Sequence, residues 1–232
     1  MATHWVDIMN NSRVGRYMDG IEKAIIARHL PDAPLRVLDL GGGTGRWSRW
    51  LAERHHEQLM FDIEHAALRS FRAHSPGLRV AQADAQHIPT AASSFDAVIA
   101  VQIFNFMSDA ARFLREVHRV LKPGGLLCIT WTNRNSIKGW IYGAYSALKG
   151  TPQAERFSIY GSSHSENMGL LREAGFRVCE ARGYSWGMLP RSHDTHLVDV
   201  FVAMERTLRL NQWLAASPNI ILVAQKSDAS SD

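Results

Sequence analysis

Residues 36–51, RVLDLGGGTGRWSRWL, constrain the fold more than any other part of the chain. A short apolar run, residues 37–40, holds one acid, Asp39, and leads into alternate glycines at Gly41, Gly43 and Gly45. Trp47, Trp50 and Leu51 then recur at helical spacing. Strand, glycine corner and helix make the opening unit of a nucleotide-binding α/β fold. Glycine admits backbone angles closed to other residues and lets a ligand come close. The spacing separates the ligands. A dinucleotide fingerprint is G-x-G-x-x-G, and Arg46 stands where its third glycine would be. A P-loop closes with Gly-Lys-Ser/Thr, whereas this corner closes with Gly45-Arg46-Trp47. What remains is D-x-G-x-G-x-G over residues 39–45. An ordinary strand-to-helix turn would need only one or two glycines.

Acids recur where strands end. Residues 59–61 read as a strand closing at Asp62, which lies 21 residues after Gly41. That is close to the ~20-residue offset at which a carboxylate accepts two hydrogen bonds from a ribose diol. Glu64 is the alternative, although a carboxylate there also suits the first turn of a helix. Residues 78–83 read as a strand closing at Asp84, on the edge where open α/β sheets bind ligands. A lone aspartate in that place is usually an ordinary turn or helix cap. Residues 97–104, AVIAVQIF, have the continuous apolar character of a central strand covered on both faces. This run puts Gln102, Phe104, Asn105 and Phe106 at the binding edge. Residues 109–120 form an amphipathic helix that stops at Leu121-Lys122-Pro123-Gly124-Gly125, a turn before a strand over residues 126–131.

The glycine corner, together with QADAQHIPTAASSFDAVIAVQIFNFMSDAARFLREVHRVLKPGGLLCIT, resembles the class I S-adenosylmethionine (SAM)-dependent methyltransferases. The likeness is to their small-molecule branch, which includes quinone-biosynthesis members. D-x-G-x-G-x-G, S-F-D, D-A and R-V-L-K-P-G-G fall in order, and the likeness covers residues 35–176. It implies SAM as cofactor and a doubly wound, seven-stranded Rossmann-like sheet with its last strand antiparallel. It further implies that Gly41, Gly42, Gly43, Thr44 and Gly45 admit SAM, with Asp39 and Gln102 near the methionine end. Asp62 would grip the ribose and Ile63 would lie against the adenine. The Asp84 carboxylate and the Ala85 backbone N–H would read the adenine edge. Family members often carry histidine near Asn105 and Phe106; this chain does not, so no catalytic histidine transfers there.

Two segments read as covers on one domain spanning residues 1–232. In the first, residues 1–34, a helix over residues 14–30 carries Tyr17, Met18, Ile21, Ile25 and Ile26, with Trp5, Ile8 and Met9 before it. It can pack on the sheet, act as a lid over the cofactor, or do both. The second, residues 133–165, is rich in large rings, and the resemblance makes it a substrate cover. The expected pocket wall is Phe104, Phe106, Trp140, Tyr160 and Trp186, with Tyr17 and Tyr160 able to place substrate or the methionine end. His164 is the best candidate base, though a solvated loop histidine is the plainer role. Further helices are expected over residues 165–174 and 196–210, strands over 176–182 and 219–224, and a disordered polar tail over 226–232.

Composition bounds the partners. The chain has 232 residues, 46% hydrophobic and 21% charged, with net charge +4 and pI near 9.3. Its Lys and Arg are scattered, which is no nucleic-acid footprint. Cys128 and Cys179 lie in apolar runs and read as buried free thiols in a reducing compartment. No histidine pair has metal-ligand spacing with suitable companions. No apolar run approaches the ~20 residues of a membrane span, and the first residues lack a signal-peptide core. A cytoplasmic enzyme is the expectation, one that methylates a small, apolar or ring-containing molecule at O, N or C. The rivals are a nicotinamide-dependent oxidoreductase, a SAM-binding regulator or subunit without activity, and an RNA methyltransferase. Oligomeric state is not legible.

Overall fold

The computed structural model describes residues 11–149, 161–187 and 193–227. In chain order the strands are β1 (Arg36–Leu40), β2 (Glu57–Asp62), β3 (Arg79–Gln82), β4 (Phe95–Ala100), β5 (Leu121–Thr132), β6 (Phe176–Tyr184) and β7 (Asn219–Lys226). Among the described residues they form one seven-stranded sheet in the order β3-β2-β1-β4-β5-β7-β6. β7 enters between β5 and β6 and runs antiparallel to both, while the pairs from β3 to β5 are parallel. This is the expected doubly wound sheet with its last strand reversed.

The helices are α1 (Arg13–His29), α2 (Arg46–Glu53), α3 (His65–His74), α4 (Ala110–Val120), α5 (Ile137–Leu148), α6 (His164–Glu173) and α7 (Leu197–Thr207). α1 starts where Ser12 Oγ accepts from the Gly15 N–H at 2.9 Å, and Arg28 and His29 close it at the negative end of its dipole. α4 starts on Asp109, whose carboxylate accepts from the Arg112 N–H at 2.8 Å. Among the described residues no helix is long and apolar enough to cross a membrane.

Alternation along the central strands sorts side chains to two faces. Val37, Ala97, Ile99, Cys128, Ile221 and Val223 meet Met18, Ile25 and Ile26 of α1 and Trp47 and Leu51 of α2. Leu38, Val98, Leu127, Ile129 and Leu222 meet Phe113, Leu114 and Val117 of α4 and Leu171 of α6. Helices on both faces explain why these strands read as nearly unbroken apolar runs.

Four local expectations are corrected. β4 ends at Ala100, and the rest of the apolar run turns sharply: Gln102 takes φ +63° and Phe104–Phe106 form a 3-10 turn. The Lys122-Pro123-Gly124-Gly125 stretch belongs to β5, which starts at Leu121 and slips register between Phe95 and Ala97. Cys179 is exposed rather than buried, because it lies on β6, the outer strand. Lys226 closes β7, with its Nζ donating to the carbonyls of His118 and Leu121 at 2.7 and 2.8 Å; residues 228–232 lie outside the described residues.

Candidate active site

The carboxyl ends of β1, β2, β4 and β5 lie along one edge of the sheet and open onto a cavity of about 740 Å³. Because β7 is reversed, its first residue, Asn219, arrives at the same edge, opposite Thr132 of β5 and Tyr184 of β6. The volume falls within the ~300–1,000 Å³ of small-molecule sites.

The glycine corner forms one end. Gly43 has φ +58°, and a methyl group there would meet nothing within 4 Å, so its open face is available to a ligand. Gly45 has φ +87°, and a methyl group there would run into the Phe71 ring. Asp62 reaches back across the corner: Oδ2 accepts from the Gly43 N–H and Oδ1 from the Glu64 N–H, both at 2.8 Å. A carboxylate has about four acceptor positions, so a diol can still bind.

Asp39 lies beneath the corner, 1% exposed, with Oδ2 accepting from Ser48 Oγ at 2.7 Å. Burial pushes its pKa up to about 6; the Ser48 hydrogen bonds oppose this, as does the Arg46 charge, while the Asp62 charge adds to it. An unfolded aspartate ionises near 3.9, so between about pH 4 and 6 the folded chain holds more protons than the unfolded one. This group's contribution to stability therefore falls as pH rises through that window. Asp39→Asn should gain stability over wild type on going from pH 4 to pH 7, by a difference of order 1–3 kcal/mol. Paired urea titrations at the two pH values measure it; a pH-independent difference would refute the assignment.

Of the residues expected from sequence, Gly41, Asp62, Ile63, Gln102 and Phe106 share the cavity wall. Asp84 and Ala85 do not. The Asp84 carboxylate caps its own turn, accepting from the Gln86 N–H at 2.8 Å, and that bond holds its pKa low; Ala85 is buried in the core. Phe104 is core as well, packed on Phe113 and Trp131. Trp140 is 80% exposed and off the wall, because α5 packs through Gly139 and Ser146 and leaves Trp140, Ile141 and Tyr145 exposed. Tyr17 lines a separate crevice with Val14, Ser185 and Val198, and its hydroxyl donates to Glu205. Burial and the Glu205 charge push that phenol far up, so it stays protonated. The Trp186 N–H also donates to Glu205, at 2.5 Å. His164 stacks on Trp131 with ring centroids 5.8 Å apart and is not on the wall; burial pushes its pKa down. Tyr160 lies outside the described residues.

Asn105, expected at the binding edge, and the runner-up Glu64 are on the wall too, whereas Trp131, Thr132, Tyr142, Tyr184 and Asn219 were not anticipated. Asn105 and Thr132 hold each other there, the amide donating to the Thr132 hydroxyl and Asn105 Oδ1 accepting from the Thr132 N–H at 3.1 Å. Glu22 of α1 was also missed. It lies in the apolar stripe with Met18, Ile25 and Ile26, and an acid in such a stripe signals a buried partner.

The arrangement fits SAM. Gly43 of the corner faces open space, a carboxylate with spare acceptor positions stands beside it, and Thr44 Oγ1 is buried with no partner among the described residues. Beyond them lies a wall of Phe106, Trp131 and Tyr142.

Comparison with known proteins agrees. The methyltransferase domain family matches residues 38–129. An uncharacterized methyltransferase of Mycobacterium tuberculosis is 36% identical over 132 residues, 56% of this chain and 54% of that protein. The chain thus spans about half the length of the mycobacterial relatives it matches. A ubiquinone/menaquinone biosynthesis C-methyltransferase of Acidiphilium cryptum is 31% identical over 189 residues, covering 72% of this chain and 76% of that protein. Among solved structures, a possible histamine N-methyltransferase of Thermotoga maritima superposes with TM-score 0.65 at 21% identity, covering 97% of this chain and 94% of that one. The [4+2]-cyclase SpnF superposes equally well, TM-score 0.65 at 22% identity over 90% of this chain and 80% of its own, so the fold by itself does not specify the reaction. The order of motifs and the length of the Acidiphilium match do what the fold cannot: the chain belongs to the class I SAM-dependent methyltransferases.

Proposed function

We propose that the chain transfers a methyl group from SAM to a small organic acceptor that is apolar or carries a ring. The observation that carries this reading is the continuity of the cavity: Gly41 of the glycine corner and Asp62 share one space with Phe106, Trp131 and Tyr142. When bound, SAM supplies an electrophilic methyl carbon on a sulfonium, and the chain's work is to hold a nucleophile in line with it. Gly43 lets the donor lie close to the backbone. Asp62 accepts hydrogen bonds from its ribose hydroxyls, and Ile63 packs against its adenine. In this reading Asp84 and the Ala85 N–H meet the adenine edge beyond the cavity wall. Gln102 and Asp39 lie near the methionine end. The aromatic wall orients the acceptor and keeps water from it.

His164 touches Trp131 rather than the cavity, so the proton of a hydroxyl acceptor is not routed to it. α5 brings Tyr142 to the wall, which supports a cover role for residues 133–165. Calorimetry with S-adenosylhomocysteine and, separately, with NAD tests the donor site. Saturable uptake of the first and none of the second is expected; the reverse would overturn the proposal. Radiolabelled SAM offered with a panel of ring-containing phenols, amines and enols then tests the acceptor. Transfer confined to charged, ring-free acceptors would refute the acceptor class.

A further inference from the structure

Three donors converge on one carboxylate that the reaction itself does not use. Glu22 is fully buried at 0% exposure. Its Oε1 accepts from Gln102 Nε2 at 3.1 Å and from Tyr184 Oη at 2.7 Å, and its Oε2 accepts from Arg46 Nη2 at 2.8 Å. Arg46 is also held by Asp19, Nη1 to Oδ1, at 2.7 Å. One side chain of α1 thereby joins the first residue of α2, the turn after β4 and the end of β6.

Two of the three donors, Gln102 and Tyr184, stand on the cavity wall. The backbone beside them is strained. Gln102 has φ +63° and Ser185 has φ +65°, a region that residues other than glycine occupy only where their surroundings hold them. Both are held from α1: Gln102 through Glu22, and Ser185 by its N–H donating to Tyr17 Oη at 3.2 Å. The Gln102 N–H also donates to Thr130 Oγ1 at 2.7 Å, another wall residue.

Stabilising a helix on a sheet needs no such device. Met18, Ile25 and Ile26 already do it, and burying an ion pair is a poor route to stability compared with packing apolar groups. What a satisfied buried network provides is one fixed arrangement of its members. We infer that Glu22 is a positioning residue: it sets Gln102 and Tyr184 on the wall at the methyl-donor end of the cavity and fixes the glycine corner through Arg46. The inference rests on the SAM reading of that cavity.

The test is the affinity of the full chain for S-adenosylhomocysteine, measured by calorimetry alongside the melting temperature. Glu22→Gln keeps the shape and removes the charge, and it should weaken binding by about tenfold or more. Asp19→Asn strips Arg46 of a partner without reaching the wall, and its affinity should stay within about threefold of wild type. Gln102→Ala should also weaken binding, and the double variant should fall clearly short of the sum of the two single effects, because the two share the Glu22–Gln102 contact. A lower melting temperature for Glu22→Gln with unchanged affinity would reduce Glu22 to a structural role and overturn the inference. Additive effects in the cycle would overturn it too. If Glu22→Gln does not fold, Gln102→Ala and Tyr184→Phe each delete one arm and leave the ion pair; unchanged affinity in both overturns it. Wild-type protein that takes up no ligand sinks the SAM reading and this inference together. Wild-type binding matched by Glu22→Gln sinks this inference alone.

Discussion

Asp62→Ala should raise the dissociation constant for S-adenosylhomocysteine by roughly 10–100-fold, the scale of losing hydrogen bonds to a charged acceptor. The structure gives the change two routes. The proposed ribose contacts disappear, and the Gly43 N–H loses the carboxylate that ties the glycine corner to β2. Asp62→Asn separates them. An amide retains one acceptor oxygen but presents N–H groups at the other position, so only one of the bonds from Gly43 and Glu64 can persist. Its affinity should fall between wild type and alanine. Calorimetry on the three proteins decides the matter, and Asp62→Ala binding as tightly as wild type would remove this residue from the site.

Two neighbouring glycines should part company when each is changed to alanine. Gly45→Ala forces a side chain into a left-handed conformation, costing roughly 1–2 kcal/mol, and drives it into the Phe71 ring, adding about 1–3 kcal/mol. Together that is a large share of the ~5–15 kcal/mol that holds an ordinary domain folded. Gly43→Ala pays only the conformational part, because nothing lies within 4 Å. That open space is where the donor is proposed to lie, so Gly43→Ala should lose affinity while keeping most of its stability. Urea midpoints and ligand titrations on both variants measure the separation. Equal loss of stability in the two would mean that the Phe71 contact does not matter; tight binding by Gly43→Ala would mean that the donor lies elsewhere.

What could be read from sequence was whatever is encoded locally. Asp39, the three alternate glycines and Asp62 sit within short segments whose periodicity marks strand, corner and helix, and the fold follows from them. Phe104 misled because an apolar run does not show where its strand stops. The left-handed turn at Gln102 sends Phe104 into the core and leaves Phe106 at 64% exposure beside the cavity. Trp140 misled because ring content was taken for direction, whereas α5 buries its small residues. Tyr184 and Asn219 were out of reach for another reason. The antiparallel pair itself was expected, but Tyr184 lies past residue 182, where its strand was expected to end, and the register that sets it opposite Asn219 is not encoded in spacing along the chain. Glu22 was legible in principle, as an acid inside the stripe of α1, but its partners lie 24, 80 and 162 residues away.

The position of β7 also bears on how the chain is made. β6 pairs with β7 and not with β5, so when β6 leaves the ribosome it has no strand to pair with. Residues 219–226 must be synthesised before the gap closes, and they bring both Tyr184 and Asn219 to their places. The half of the sheet built on β1 to β5 can assemble during translation, but the far wall of the cavity waits for β7. A nascent chain stalled shortly before Asn219 would carry a glycine corner and no finished chamber.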